Sequence, residues 1–425
     1  MHPQTFTLKN GLKVILIDTK SSSLTTLLLV GAGSRYEDEK NNGIAHFFEH
    51  MAFKGSKKYP NSFVISSTIE GKGGIFNAFT SKDHTGYWIK STPEHFETSL
   101  DVIADMIQNP LLIIEEINRE KGVIAEEINM YEDTPARKVG ELFEELLYKG
   151  NSLGFDIAGK KEGIVKFSKQ TFIDYINSLY HPENVVLVIA GGLEKFQISN
   201  LKFQINSKFQ NWKNGLKASY VKIKESQILP QTLVKYKKTE QAHFSLGFRT
   251  FSFNDCRKYI LSVLSVILGG GMSSRLFIQV RERRGLCYYI STGVESYSDC
   301  GNIVTQVGVT KDIDKIKEAV KAILEEHKKI TQGDIKKDEL IRAKELIKGR
   351  LLLHLEDSAS VANFFGNRLL LQNKILTPEQ IITEIEKVKK EDIVNLSKDI
   401  FIEKNLNFAL IGPFDNKNFN NILNI

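Results

Sequence analysis

Short stretches of strand character alternate with amphipathic helical stretches along the chain, and the first strong signal is a hairpin. Thr5–Leu8 and Leu12–Ile17 flank Asn10-Gly11, a dipeptide that takes the positive φ of a tight hairpin turn. Thr25–Val30 reads as a further strand, and Gly31-Ala32-Gly33-Ser34 turns the chain out of it. The good helix formers of Ile44–Phe53 predict a helix, with Asn41 or Asn42 placed to cap it and Lys54-Gly55-Ser56 to close it. Phe63–Glu70 follows as helix and Ile75–Thr80 as a strand, entered through Gly71-Lys72-Gly73-Gly74, whose glycines allow close backbone approach. Thr85–Lys90 continues as strand, Pro93–Met106 as an amphipathic helix stopped before Pro110, and Ile114–Tyr131 as a long acidic helix.

The pattern then repeats. Asn184–Gly191, an unbroken apolar strand ending in glycine, has a counterpart in Asn405–Gly412, and Glu132-Asp133 has an echo in Glu356-Asp357, both about 220 positions further on. Strand Phe244–Phe248, apolar helix Tyr259–Leu268 and Gly269-Gly270-Gly271 mirror Leu27–Gly55. The fold class is therefore α+β: two tandem, structurally similar domains, each a mainly antiparallel sheet packed with helices. The expected boundaries are residues 1–212 for the first domain, a polar Lys-rich linker over 213–231, and 232–425 for the second.

A chain of 425 residues with 41% hydrophobic and 25% charged positions has the composition of a soluble protein with a large core. The net charge of +6 is spread over Lys-rich helices without a basic, aromatic stripe, so neither nucleic acid nor a membrane is an expected partner. Three scattered cysteines (Cys256, Cys287, Cys300) make neither a disulfide framework nor a four-cysteine metal site. The N-terminus lacks a signal-peptide pattern and no apolar run reaches the length of a membrane span, so the cytoplasm is the expected compartment.

The candidate chemistry sits in His46-Phe47-Phe48-Glu49-His50. On a helix His46 and His50 project from one face, about 5–6 Å apart at Cβ, close enough for two neutral imidazoles to grip one Zn²⁺ at about 2.0–2.1 Å. Glu49 reaches a bound water without being a ligand. This is the H-x-x-E-H order, the reverse of H-E-x-x-H. The plainer alternative is an amphipathic helix with hydrogen-bonded histidines, and only a third protein ligand separates the two. The acidic helix offers one: Glu120 and Glu127 share a face with apolar residues between them, and such acids usually meet a cation. Spacing does not choose between Glu126 and Glu127. The second repeat has no His or Glu in Tyr259–Leu268, so its copy of the site is missing.

Four features together resemble the M16 (pitrilysin-like) zinc metallopeptidases, in the two-domain branch that includes processing peptidases. They are His46-Phe-Phe-Glu-His50, Glu120-Lys-Gly-Val-Ile-Ala-Glu-Glu127, Gly74-Ile-Phe-Asn77-Ala78-Phe79-Thr80 and Arg281-Glu-Arg-Arg-Gly285-Leu286-Cys-Tyr288. The resemblance covers nearly the whole chain. It implies one Zn²⁺ per chain on His46, His50 and Glu127, with Glu49 as general base and Glu120 orienting a histidine or tuning the water. It also implies that Gly74 and Asn77–Thr80 form the edge to which a peptide adds as a strand, and that Arg281 and Tyr288 hold the substrate carbonyl and its oxyanion. The activity implied is zinc-dependent endopeptidase cleavage of unfolded peptides or presequences in a closed chamber. The expected assembly is a homodimer in which Arg281 and Tyr288 complete the partner's site. The alternatives are a non-catalytic scaffold of the same fold, which would be expected to show broken ligands, and a zinc-stabilised binding module, which would need a fourth protein ligand.

Overall fold

Asn10-Gly11 does turn a hairpin. In the computed structural model β1 (Gln4–Thr7) pairs antiparallel with β2 (Lys13–Asp18), Gln4 opposite Leu16, and Gly11 takes a φ of +90°. The structure describes residues 2–194, 196–215, 219–415, 419 and 422–423; residues 216–218 of the expected linker and the remaining positions of the expected domains lie outside the described residues. Between 219 and 230 the chain has no strand or helix.

The first sheet adds β3 (Leu24–Val30), β4 (Ile75–Thr80), β5 (Thr85–Ser91) and β6 (Val185–Gly191), in the order β1-β2-β6-β3-β5-β4. Only β2–β6 is parallel; the other pairs are antiparallel. Every residue of β3 and β6 is buried, as in strands covered on both faces; β6 is apolar throughout, and β3 is apolar except for Thr25 and Thr26. β4 lies at the edge and pairs with β5 alone, Ala78 opposite Tyr87.

The second sheet holds β7 (Gln231–Tyr236), β8 (Gln241–Thr250), β9 (Cys287–Ser296), β10 (Gly301–Thr310) and β11 (Leu406–Gly412), in the order β7-β11-β8-β10-β9. Again one pair, β7–β11, is parallel and the rest antiparallel. Strand for strand this is the order β2-β6-β3-β5-β4, so the repeat in the sequence is a repeat of topology. β9 takes the edge place that β4 holds in the first sheet.

The compact units cross the sequential boundaries of 1–212 and 232–425. One comprises residues 1–129, 155–221 and 352–377; the other comprises 130–154, 222–351 and 378–425. Each half of the chain gives one helix to the sheet of the other half. Helix Ser358–Gln372 packs on β3 and β6, and its first residue ties to the sheet through Thr25 Oγ1 and Ser358 Oγ, 2.9 Å apart. Gly366 is the close-approach point: a Cβ there would stand 2.5 Å from Leu29 Cδ1 and 2.9 Å from Val188 Cγ2. In the other unit the helix Pro135–Leu147 packs on β8 and β11, with Lys235 Nζ 2.6 Å from Glu132 Oε2 just ahead of it. The echo of Glu132-Asp133 in Glu356-Asp357 thus marks the entry to the two exchanged helices. The reason is packing: each apolar helix face finds its partner sheet in space, and a long chain need not find it in the nearest sequence. No helix of the described residues is long and apolar enough to cross a membrane.

Candidate metal centre and active site

The motif helix, α1 (Ile44–Ala52), is capped differently from the sequence expectation. Its N-cap is Gly43, at a φ of +97°, and neither Asn41 nor Asn42 caps it through its side chain. Glu37 does the work instead. Its Oε2 accepts from the Gly43 N–H at 2.8 Å and from Asn42 Nδ2 at 2.9 Å, and its Oε1 accepts from the Ala45 N–H at 2.8 Å. A carboxylate here meets the orphan N–H groups and the positive end of the helix dipole. Burial raises its pKa to about 7, against these hydrogen bonds, which favour the ionised form. No periodic signal marks a carboxylate six positions ahead of a helix's N-cap, so the sequence did not reveal it. Glycine is needed at 43 because the chain also runs against the 158–159 loop: a Cβ there would lie 2.8 Å from the Ala158 carbonyl oxygen.

α1 is anchored by Phe47 and Phe48, both fully buried and packed edge-on against Phe172 and Tyr180. That fixes the rotation of the helix, and the opposite side carries His46 and His50, their ring centroids 4.7 Å apart. A second helix, α2 (Ser62–Glu70), ends against the start of β4, where a Cβ on Gly74 would meet Ile69 Cγ2 at 2.9 Å. After α3 (Phe96–Gln108) comes α4 (Ile114–Glu132), whose buried side is Ile117, Glu120, Ile124 and Ile128. Glu127 lies on the flank of that stripe; Glu126 points outward and accepts from Asn129 Nδ2.

His46 Nε2 stands 3.5 Å from Glu127 Oε1, and His50 Nε2 stands 3.5 Å from Glu127 Oε2. One donor atom from each of the three residues falls within 4.8 Å of the others. A separation of 3.5 Å is long for a hydrogen bond and near the about 3.3–3.4 Å that separates neighbouring ligands of a tetrahedral zinc ion with bonds of about 2.0–2.1 Å. The donor set, two imidazoles and a carboxylate, is also that of a catalytic zinc site with a fourth position left for water. The three residues fit the ion. Their surroundings favour positive charge: burial by itself would lower the pKa of His46, yet Glu127 and Glu49 bring it out above the ordinary value.

Of the two histidines, Glu120 contacts His50. Its Oε1 lies 2.8 Å from His50 Nδ1 and its Oε2 2.5 Å from Lys54 Nζ. Glu120 is only 2% exposed; burial opposes its charge, but His50 and Lys54 prevail and hold its pKa below the usual carboxylate value. The sequence placed Lys54 only in the segment that closes the helix and did not reveal its pairing with Glu120, although it lies one helical turn beyond His50. His46 Nδ1, by contrast, is buried with no hydrogen-bond partner among the described residues.

Glu49 is half-buried beside this cluster and outside the donor set. Its Oε2 accepts from the Thr80 hydroxyl at 2.6 Å. The period of two along β4 explains the contact: Phe76, Ala78 and Thr80 share the face towards α1, where Phe76 packs 5.4 Å from the Phe53 ring. Ile75 and Asn77 are exposed and Phe79 is half-buried against the His84 ring. The Asn77 side chain accepts from the Ala78 N–H.

Arg281 and Tyr288 lie together in the other compact unit. Arg281 is the last residue but one of a π-helical stretch, Phe277–Glu282, with its guanidinium 4.6 Å from the Phe277 ring centre and 5.9 Å from that of Tyr288. Tyr288, the second residue of β9, is 75% exposed. Single π-turns of this kind are rare and recur at functional positions.

Two helices that converge a His-His-Glu cluster, with a further carboxylate beside it and an open sheet edge next to that, form a candidate metal centre with the H-x-x-E-H order. Residues 13–161 match the family model described as Insulinase (Peptidase family M16), and residues 166–347 match that described as Peptidase M16 inactive domain. The chain belongs to the M16 peptidase family. It is 34% identical over 412 residues to "Uncharacterized zinc protease YmxG" of Bacillus subtilis (strain 168), covering 97% of this chain and 98% of that one. It is 29% identical over 422 residues to mitochondrial-processing peptidase subunit beta of Mus musculus, covering 96% of this chain and 84% of that one. Among solved structures, a protease from Helicobacter pylori superposes with a TM-score of 0.90 at 24% identity, over 97% of this chain and 99% of that one. That last likeness concerns the fold.

Proposed function

We propose that this protein is a zinc-dependent endopeptidase that cleaves unfolded peptides or presequences enclosed in a chamber. The observation that carries the reading is the trio His46, His50 and Glu127, intact and at metal-ligand spacing, with Glu49 outside the trio but beside it. Zn²⁺, one per chain on these three residues, would lower the pKa of water towards about 7 and polarise the scissile carbonyl. Glu49 takes the proton of the attacking water and hands it to the leaving amine. Glu120 holds His50 through Nδ1, fixing its tautomer so that Nε2 keeps its lone pair. The edge of β4, from Gly74 through Asn77, Ala78, Phe79 and Thr80, receives the peptide as an added strand. Arg281 and Tyr288 supply donors for the carbonyl oxygen as it becomes an oxyanion.

Hydrolysis of a mixed library of unstructured peptides, read by mass spectrometry with and without a zinc chelator, tests the reading. Chelator-sensitive cleavage is expected and would also give the preferred residues around the cut. A zinc-loaded protein that cleaves nothing would instead favour a scaffold role for the same fold.

The assembly proposed is a homodimer in which Arg281 and Tyr288 of one copy serve the zinc site of the other. Its support is that one chain carries both the zinc motif and the Arg/Tyr pair, while a relative is named as a subunit. Mixing Glu49→Gln with Arg281→Ala protein should restore activity that neither shows alone, approaching a quarter of wild type if subunits exchange at random. Demonstrated exchange without recovery would rule this arrangement out.

A further inference from the structure

We infer that Thr80 is a positioning residue for the general base: its hydroxyl holds Glu49 Oε2, so that Oε1 is the oxygen that carries the proton. The inference rests on the peptidase reading and adds to it a role for a side chain otherwise counted only as part of the substrate strand.

The direction of the hydrogen bond follows from counting hydrogens. The Thr80 hydroxyl has one. Two oxygens lie near it, Glu49 Oε2 at 2.6 Å and Thr85 Oγ1 at 3.5 Å. Thr85 directs its own single hydrogen to the Ala32 carbonyl, 2.6 Å away, and the contact at 3.5 Å is too long to compete. Thr80 therefore donates to Glu49, a short charge-assisted bond. A carboxylate oxygen bound in this way is a poor site for a second proton, which leaves Oε1 for the transfer to and from substrate.

The placement also links base to substrate. Thr80 closes β4, and its side chain leaves the strand on the α1 face while the strand's free edge lies at right angles to it. A peptide laid along β4 and the carboxylate that serves it are thus held by one strand. A threonine suits this position: its β-branch restricts χ1 and its place in the strand limits it further, so the hydroxyl is held on target at small entropic cost.

The test compares Thr80→Val, which keeps the shape and removes the hydroxyl, with Thr80→Ser, which keeps the hydroxyl. With a misplaced base the valine variant should lose about 10–100-fold in kcat, while KM stays within about 2-fold and zinc content is unchanged. The serine variant should keep kcat within about 3-fold of wild type. In a crystal structure of the zinc-loaded valine variant the Glu49 carboxylate should be turned from its present orientation. A valine variant with wild-type kcat, or with an unmoved carboxylate, overturns the inference. Equal losses in both variants overturn it too, because they report packing and not the hydroxyl. Thr80→Ala serves the same comparison if the valine variant does not fold. An active wild type with an active Thr80→Val removes this inference alone, whereas a zinc-loaded wild type that cleaves nothing removes the peptidase reading and this inference with it.

Discussion

Glu49→Gln should lower turnover by about 10²–10⁴-fold, the usual contribution of a positioned general base, and leave zinc binding intact. Gln keeps the size of the side chain and an oxygen for the Thr80 hydroxyl, which now bonds Glu49 Oε2 at 2.6 Å. It has no oxygen basic enough to take a proton. The metal should remain because Glu49 is not among the residues whose donor atoms converge, His46, His50 and Glu127. Steady-state kinetics on a peptide found in the library screen, alongside metal analysis of the same preparation, measures both halves. A zinc-loaded Gln variant with substantial activity would sink the general-base role. Zinc loss in that variant would mean that Glu49 contributes to the metal site directly.

The second large effect concerns the third ligand. Glu127→Ala should weaken zinc binding by more than about 100-fold, beyond the about 10–100-fold typical of a group that only supports a ligand, and activity should disappear with the metal. Glu126→Ala, one position away, should change zinc affinity by no more than about 2–3-fold, as surface substitutions do. The structure motivates the contrast. Glu127 faces both histidines at 3.5 Å, and Glu126 faces outward to Asn129. Removing Glu127 also takes away the charge nearest the ion, leaving two neutral imidazoles to hold a dication. Competition with a chromogenic chelator reads both affinities. Equal zinc binding by wild type and Glu127→Ala would refute the assignment.

Much of this centre is legible in the sequence. A helix has a period of 3.6, so i and i+4 histidines must share a face, and H-x-x-E-H can be read as one half of a metal site from spacing alone. The hairpin at Asn10-Gly11 and the strand at Ile75–Thr80 follow from similarly local rules, because a turn or a two-residue alternation is decided by neighbours in the sequence. The repeat could be read too, since Asn184–Gly191 and Asn405–Gly412 carry the same buried-strand pattern. Local rules reach less far at Glu126 and Glu127, where adjacent residues on one helix differ by a rotation that only the packing of Ile117, Ile124 and Ile128 settles.

The sequence by itself determined the elements around the motif and the two histidines with their glutamate neighbour, which depend on periodicity within about twenty residues, and the doubled topology, which shows as a pattern repeated about 220 positions apart. Tertiary structure alone decided that Glu37 caps the motif helix, that Lys54 shares Glu120 with His50, that Thr80 holds Glu49, and that helix Ser358–Gln372 covers the first sheet. Except for Lys54 beside His50, each of these joins residues from separate elements. A hydrogen bond or a packed helix is specified by which surfaces meet once the core has closed, and the spacing of residues along the chain carries no record of that meeting.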